Sequence, residues 1–122
     1  MKVQHVFLCA LLTVTSLVAS VNASAEDGRV IEVVTFKLKP GVSPSDFSAI
    51  DKAVEREQVS KQPGFVSRES AHGAGNEWLV IVHWRSTQDA DASMASFEKA
   101  PSAAKFMSKI DASTMVMKRY QK

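Results

Sequence analysis

Cysteine is almost absent from this 122-residue chain, and the single one, Cys9, falls within an apolar amino-terminal run. That run, Val6 to Ala19, follows the basic start Met1-Lys2 and precedes Ala23-Ser24-Ala25, the small-residue pattern a signal peptidase accepts. Residues 1–25 therefore read as a secretory signal with cleavage after Ala25, which places the mature protein in the periplasm or outside the cell. The run is shorter than the roughly 20 residues a membrane-crossing helix needs, and it has no basic stop-transfer flank, so no membrane attachment is expected after cleavage. Cys9 lies inside the apolar stretch rather than at the cleavage point, so lipidation is not expected there. Removing residues 1–25 from 122 leaves 97 without cysteine. Disulfides, thiolate nucleophiles and cysteine-ligated metals are thereby excluded for residues 26–122.

Charge of one sign is also lacking. Lys2 is the one basic residue in the signal, leaving 14 bases against 13 acids, interspersed, in the mature chain. No basic patch or stripe of the kind nucleic-acid binding requires is present. Nor is there a phosphate-binding glycine loop, a zinc-ligand spacing, a nucleophilic serine elbow or a heptad run. Histidine is scarce, with only His72 and His83 beyond the signal.

What is present is a regular alternation of elements. Val30 to Lys39 is rich in β-branched residues and stops at Pro40-Gly41, as a strand does. Ser43-Pro44-Ser45-Asp46 is a helix start, with Ser43 as cap and Pro44 in the first turn. Phe47, Ile50 and Val54 recur at helical spacing, while Asp51, Lys52, Glu55 and Arg56 are expected to point elsewhere. Gln62-Pro63-Gly64 ends this helix. Phe65 to Ala71 reads as a second strand, the glycines of residues 72–76 as a hairpin, and Glu77 to Arg85 as a third strand. Ser86 or Thr87 caps a helix through Met94 and Phe97, and Pro101 breaks it. A short helix follows with Phe106, Met107 and Ile110 on one side, and Thr114 to Tyr120 closes the domain as a fourth strand. The order β, α, β, β, α, β predicts an α+β, ferredoxin-like four-stranded antiparallel sheet with helices on one face, in a single domain over residues 26–122. Strands one and three are apolar on both sides. One helical layer covers only one face, so the other is expected to meet the sheet of an identical subunit, giving a homodimer.

The opening strand V-V-T-F-K-L-K-P-G, the turn Q-P-G-F, and W-L-V-I-V-H-W-R-S-T-Q-D-A followed by F-E-K-A-P together resemble the antibiotic-biosynthesis-monooxygenase-like domains of the dimeric α/β-barrel superfamily, over residues 29–120. The first strand also resembles the superfamily's stress-responsive branch. The resemblance implies a dimeric barrel with a cleft between sheet and helices in each subunit. It also implies oxidation of an aromatic or quinol-type molecule by dioxygen with no cofactor and no metal. The alternative it allows is a non-catalytic binder of a hydrophobic small molecule, or a stress-related dimeric protein. The haem-degrading branch of the superfamily uses an asparagine, a tryptophan and a histidine. Here Val34 stands near the asparagine position, Trp84 matches the tryptophan, and residues 100–110 contain no histidine, so that mechanism is not expected.

Candidate site residues follow from combining the two readings. His83 is the candidate catalytic base, since imidazole is the side chain that most readily moves a proton near neutral pH. It shares a strand face with Leu79 and Ile81, opposite Trp84 and Trp78, so a structural histidine at a subunit interface is the competing reading. Trp84, Val34, Phe36, Phe97, Phe106, Met107 and Tyr120 are the expected substrate-binding set, with Trp84 as a flat wall. Met94, Met115 and Met117 belong to the same apolar group, mostly core but able to line a pocket. Glu32, on an otherwise apolar strand, is expected to pair with a base such as Arg68.

Overall fold

A computed structural model describes residues 29–122. The expected signal segment, residues 1–25, lies outside the described residues. The elements run β1 (Val30–Leu38), α1 (Pro44–Glu57), β2 (Phe65–His72), β3 (Glu77–Trp84), α2 (Thr87–Phe97), α3 (Pro101–Met107) and β4 (Ile110–Gln121). The four strands form one antiparallel sheet in the order β2-β3-β1-β4. This is the α+β, ferredoxin-like arrangement expected from the element order.

Local chemistry fixes most boundaries. Ser43 Oγ accepts from the Asp46 backbone N–H at 3.1 Å and Pro44 occupies the first turn of α1. Ser86 repeats the device for α2, its Oγ accepting from the Asp89 N–H at 3.1 Å. These contacts satisfy donors that an unextended helix start leaves open. Helix α1 stops at Glu57, earlier than Gln62-Pro63-Gly64 suggested, and a 3₁₀ turn at Val59–Lys61 fills the interval. Gly64 has φ +79°, and a Cβ there would lie 2.1 Å from Asp89 Oδ2. Its carbonyl accepts from Arg85 N–H at 2.8 Å. The turn into β2 therefore presses directly on the start of α2.

Strand β4 begins at Ile110, not Thr114, so Ile110 opens a strand instead of ending α3. Its register against β1 slips between Thr35 and Lys37. There the Lys37 N–H donates to Thr114 Oγ1 at 2.8 Å in place of a backbone carbonyl, which keeps the strand donor paired across the irregularity.

Strand alternation divides the sheet cleanly. Val30, Glu32, Phe36 and Leu38 of β1, and Trp78, Val80, Val82 and Trp84 of β3, are buried toward the helices. Phe47 of α1 is fully buried, with its ring centroid 5.8 Å from Phe36, 4.9 Å from Trp78 and 5.1 Å from Phe106. The contacts to Phe36 and Trp78 are edge-on and that to Phe106 is tilted, and aromatic pairs in such geometries add to the area term. Phe106 also meets Phe36 at 5.7 Å and Phe97 at 5.9 Å, which makes α3 the hinge between core and cavity wall.

The other face of the sheet carries Ile31, Val33, Leu79, Ile81, His83, Val116 and Tyr120, placed together by the register, with Lys118 beside Val33 and Glu69 beside Ile81. Val116 and Tyr120 are about half exposed. None of the described helices packs on this side.

Candidate functional site

Between the helix-facing side of the sheet and α2 and α3 lies a cavity of about 500 Å³. Its sheet wall is Val34 and Phe36 of β1, Val80, Val82 and Trp84 of β3, and Met115 and Met117 of β4. Met94, Phe97, Ala103, Phe106 and Met107 close it from the helices. Six of the seven residues expected to bind substrate, Val34, Phe36, Trp84, Phe97, Phe106 and Met107, therefore meet in one space. Met117, 43% exposed, stands at its rim.

Tyr120 and His83 are elsewhere. Tyr120 pairs with Ile31, and His83 pairs with Ile31 and Ser67, all on the open face of the sheet. The full thickness of the sheet separates both from the cavity, because their neighbours Arg119 and Trp84 occupy the inward positions of the same strands. His83 is consequently not positioned to act as a base on a molecule held there. His72 stacks on Trp78 at 6.3 Å outside the cavity, in hollows between β2, α1 and the hairpin.

Trp84 offers a ring and not a donor. Its Nε1, like that of Trp78, is buried without a hydrogen-bond partner, a condition that costs about 1–3 kcal/mol. The indole packs edge-on against Phe65 at 5.9 Å.

Besides Ser93 on α2 and Glu98 at its end, the polar groups of the cavity are Glu32 and Arg68, which lie in one row across the sheet. Arg119 of β4 is opposite Glu32 of β1, Glu32 is opposite Val82 of β3, and Val82 is opposite Arg68 of β2. Glu32 does pair with a base, but with Arg119, whose Nε donates to Glu32 Oε2 at 2.9 Å. Arg68 is two strand spacings away, about 10 Å, with Val82 between; adjacency in the sheet decides the partner. Arg119 also donates from Nη1 to Asp91 Oδ1 on α2. Partial burial opposes the charge on Arg119, but the hydrogen bonds and charges of Asp91 and Glu32 outweigh it and raise its pKa above the ordinary arginine value.

Arg68 is held instead by Asp51 of α1, which is buried and not turned outward as expected. The pair is bidentate, Nη2 to Oδ1 at 2.7 Å and Nη1 to Oδ2 at 3.0 Å, with Ser70 Oγ donating to Oδ2 at 2.6 Å. Asp51 stands four residues after Phe47 and three before Val54, on their side of the helix, so its burial was legible from spacing. Arg68 borders both the cavity and a larger, more polar hollow of about 670 Å³ between α1 and β2. The outer hollow is lined by Ser45, Ser48, Lys52 and Glu55 and lacks an apolar enclosure. The inner cavity is thus the better seat for an organic ligand. Among the described residues no cluster of side chains suited to a metal ion is present.

Several solved structures share this architecture over about four-fifths of the chain. SnoaB, a cofactor-independent oxygenase from Streptomyces nogalater, matches with TM-score 0.64 at 18% identity, covering 80% of this chain and 94% of its own. A protein from Caulobacter crescentus CB15, provisionally named an antibiotic biosynthesis monooxygenase, matches with TM-score 0.63 at 12% identity, over 83% and 95%. The chain has the antibiotic-biosynthesis-monooxygenase-like fold. NE2512 of Nitrosomonas europaea, a protein of unknown function, shares it with TM-score 0.62 at 11% identity, over 80% and 90%. No family model and no curated protein matches the sequence. In this monooxygenase-like fold the strand β3 residue Trp84 lies in the cavity wall, as its motif implied, whereas Glu32, Arg119 and Asp91 form a polar arm that the motifs did not reveal.

Proposed function

We propose that the protein takes a flat, hydroxylated aromatic molecule into the cavity beneath α2 and α3 and supports its oxidation by dioxygen without a cofactor. The observation that carries this reading is the enclosure: an apolar space of about 500 Å³ walled by an indole, three phenylalanines and four methionines, with charged groups limited to Glu32 and Arg68 on the sheet and Glu98 at the end of α2. Such a space fits a molecule of two or three fused rings. It also strips water from a phenolate, which strengthens every polar contact made with the reacting oxygen. The similarity in fold to a cofactor-independent oxygenase supports the oxidative part.

The reaction balances with dioxygen as the sole oxidant. A phenol with a free ring C–H loses its O–H and C–H hydrogens, gains one oxygen atom at that carbon and becomes a quinone; the second oxygen leaves as water. The measurement is oxygen uptake and quinone absorbance with 1-naphthol, comparing wild type with Ala104→Trp, which places a large ring at the exposed rim of the cavity. Protein-dependent formation of 1,4-naphthoquinone, reduced at least tenfold in the variant, is expected. Saturable naphthol binding without oxygen uptake for naphthol or any of a panel of larger phenols and quinols would favour a non-catalytic binder.

Two further readings belong to this proposal. The apolar open face of the sheet is covered by the same face of a second copy, with Ile31, Val33, Leu79 and Ile81 at the centre, because one copy leaves that surface in water. The amino-terminal signal pattern supports export to the periplasm or beyond, so the molecule met there is one present outside the cytoplasm.

A further inference from the structure

We infer that Glu32 is the group that recognises the aromatic hydroxyl of the ligand and receives its proton. This rests on the proposed function for the chemistry, but not for the recognition. Glu32 lines the cavity and is the carboxylate on its sheet wall, with its side chain only 7% exposed. Arg119 Nε occupies Oε2, and Oε1 accepts no hydrogen bond from the described residues. Among the described residues the fully inaccessible unpaired side-chain atoms are the two indole nitrogens, and Oε1 is not one of them. A carboxylate oxygen that is neither bonded nor sealed off borders the space its residue lines. It can accept from a hydroxyl and has nothing to donate.

Arg119 makes the role workable. It fixes Glu32 through Nε and continues to Asp91, whose side chain is 63% exposed. The arm thus runs from the cavity floor to solvent. Arg68, the cation that lines the cavity, has donors only, and both terminal nitrogens are committed to Asp51, so on the sheet wall the acceptor for a hydroxyl is Glu32. Glu98 adds a second negative group at the cavity. Neutral phenols are therefore admitted, and aromatic carboxylates are disfavoured.

In turnover the naphthol O–H bond breaks, the proton goes to Glu32 Oε1, and the electron pair stays on the ring oxygen. The naphtholate then reacts with dioxygen to give the quinone and hydroxide, and hydroxide takes the proton back from Glu32 as water. Carbon, hydrogen, oxygen and charge all balance.

The test compares 1-naphthol with 1-methoxynaphthalene, which has the same rings and no donor. Equilibrium dialysis under anaerobic conditions gives binding, and quinone absorbance in air gives turnover. Wild type is expected to prefer naphthol by about tenfold or more, the value of a hydrogen bond to a charged acceptor. In Glu32→Gln the amide oxygen stays on Arg119 and the amide nitrogen faces the cavity. That donor serves either ligand, so the preference disappears. Turnover falls about a hundredfold or more, the usual share of a general base, and Glu32→Asp retains part of both. Equal binding of the two compounds by wild type overturns the inference without any variant, as does a Glu32→Gln protein that keeps the preference or the rate. A wild type that discriminates through Glu32 yet forms no quinone sustains the recognition and removes the oxidation. Quinone formation with no hydroxyl preference does the reverse.

Discussion

Asp51 and Arg68 show how much depends on two side chains. Both are nearly inaccessible, at 6% and 4%, and each satisfies the other through two hydrogen bonds, so removing one leaves an uncompensated charge in the wall between cavity and outer hollow. Asp51→Ala is expected to destabilise the protein by about 3–5 kcal/mol in urea unfolding, whereas Asp51→Leu combined with Arg68→Met recovers most of that loss, as buried pairs replaced by apolar groups generally do. A single substitution no worse than the double one would show that the pair is hydrated. At the same scale, Trp84 was readable as a wall residue from strand alternation and its motif. The partner of Glu32 was not, because local sequence carries no information on which strands become neighbours. Arg119 lies 87 residues from Glu32, and only the β1–β4 register brings them face to face.

Elements were far easier to read than partners. Capping serines, Pro44, Pro101 and the turn glycines mark their own positions by local chemistry, and the structure uses Ser43, Ser86 and Gly64 as those signals suggest. The misplaced boundaries have physical causes. Helix α1 frays into a 3₁₀ turn before Pro63, and β4 extends back to Ile110 because Thr114 substitutes a hydroxyl for a ladder partner at the irregularity. The helix-to-sheet contact is concentrated in Phe47, which touches aromatic rings on β1, β3 and α3. Phe47→Ala is expected to cost about 3–5 kcal/mol in chemical unfolding, and to loosen α3 over the cavity as well. Amide exchange in residues 101–107 should then speed up relative to β3, and unchanged exchange there would show that α3 is held by the cavity wall alone.

At the scale of the whole molecule, the two sheet faces divide the work. One face meets helices and encloses the cavity, and the other has an apolar centre of Ile31, Val33, Leu79 and Ile81 bordered by His83, Tyr120, Lys118 and Glu69. The both-sided apolar strands made this division legible in the sequence, and the topology follows from the element order. If a second copy covers the open face, Ile81→Lys puts a charge at the centre of that contact and yields a monomer by light scattering at micromolar concentration. A wild-type monomer under the same conditions would refute the face-to-face sheets. The assignment of cavity chemistry depends less on assembly, since Glu32, Trp84 and the methionines all belong to one chain.

The oxidative reading is tested most directly by turnover of 1-naphthol under oxygen-18 gas. The account predicts 1,4-naphthoquinone carrying one labelled oxygen, formed by wild type at a rate well above the protein-free background and suppressed in Ala104→Trp. Naphthol bound in the cavity but returned unchanged, or quinone formed equally well by the blocked variant, would contradict it.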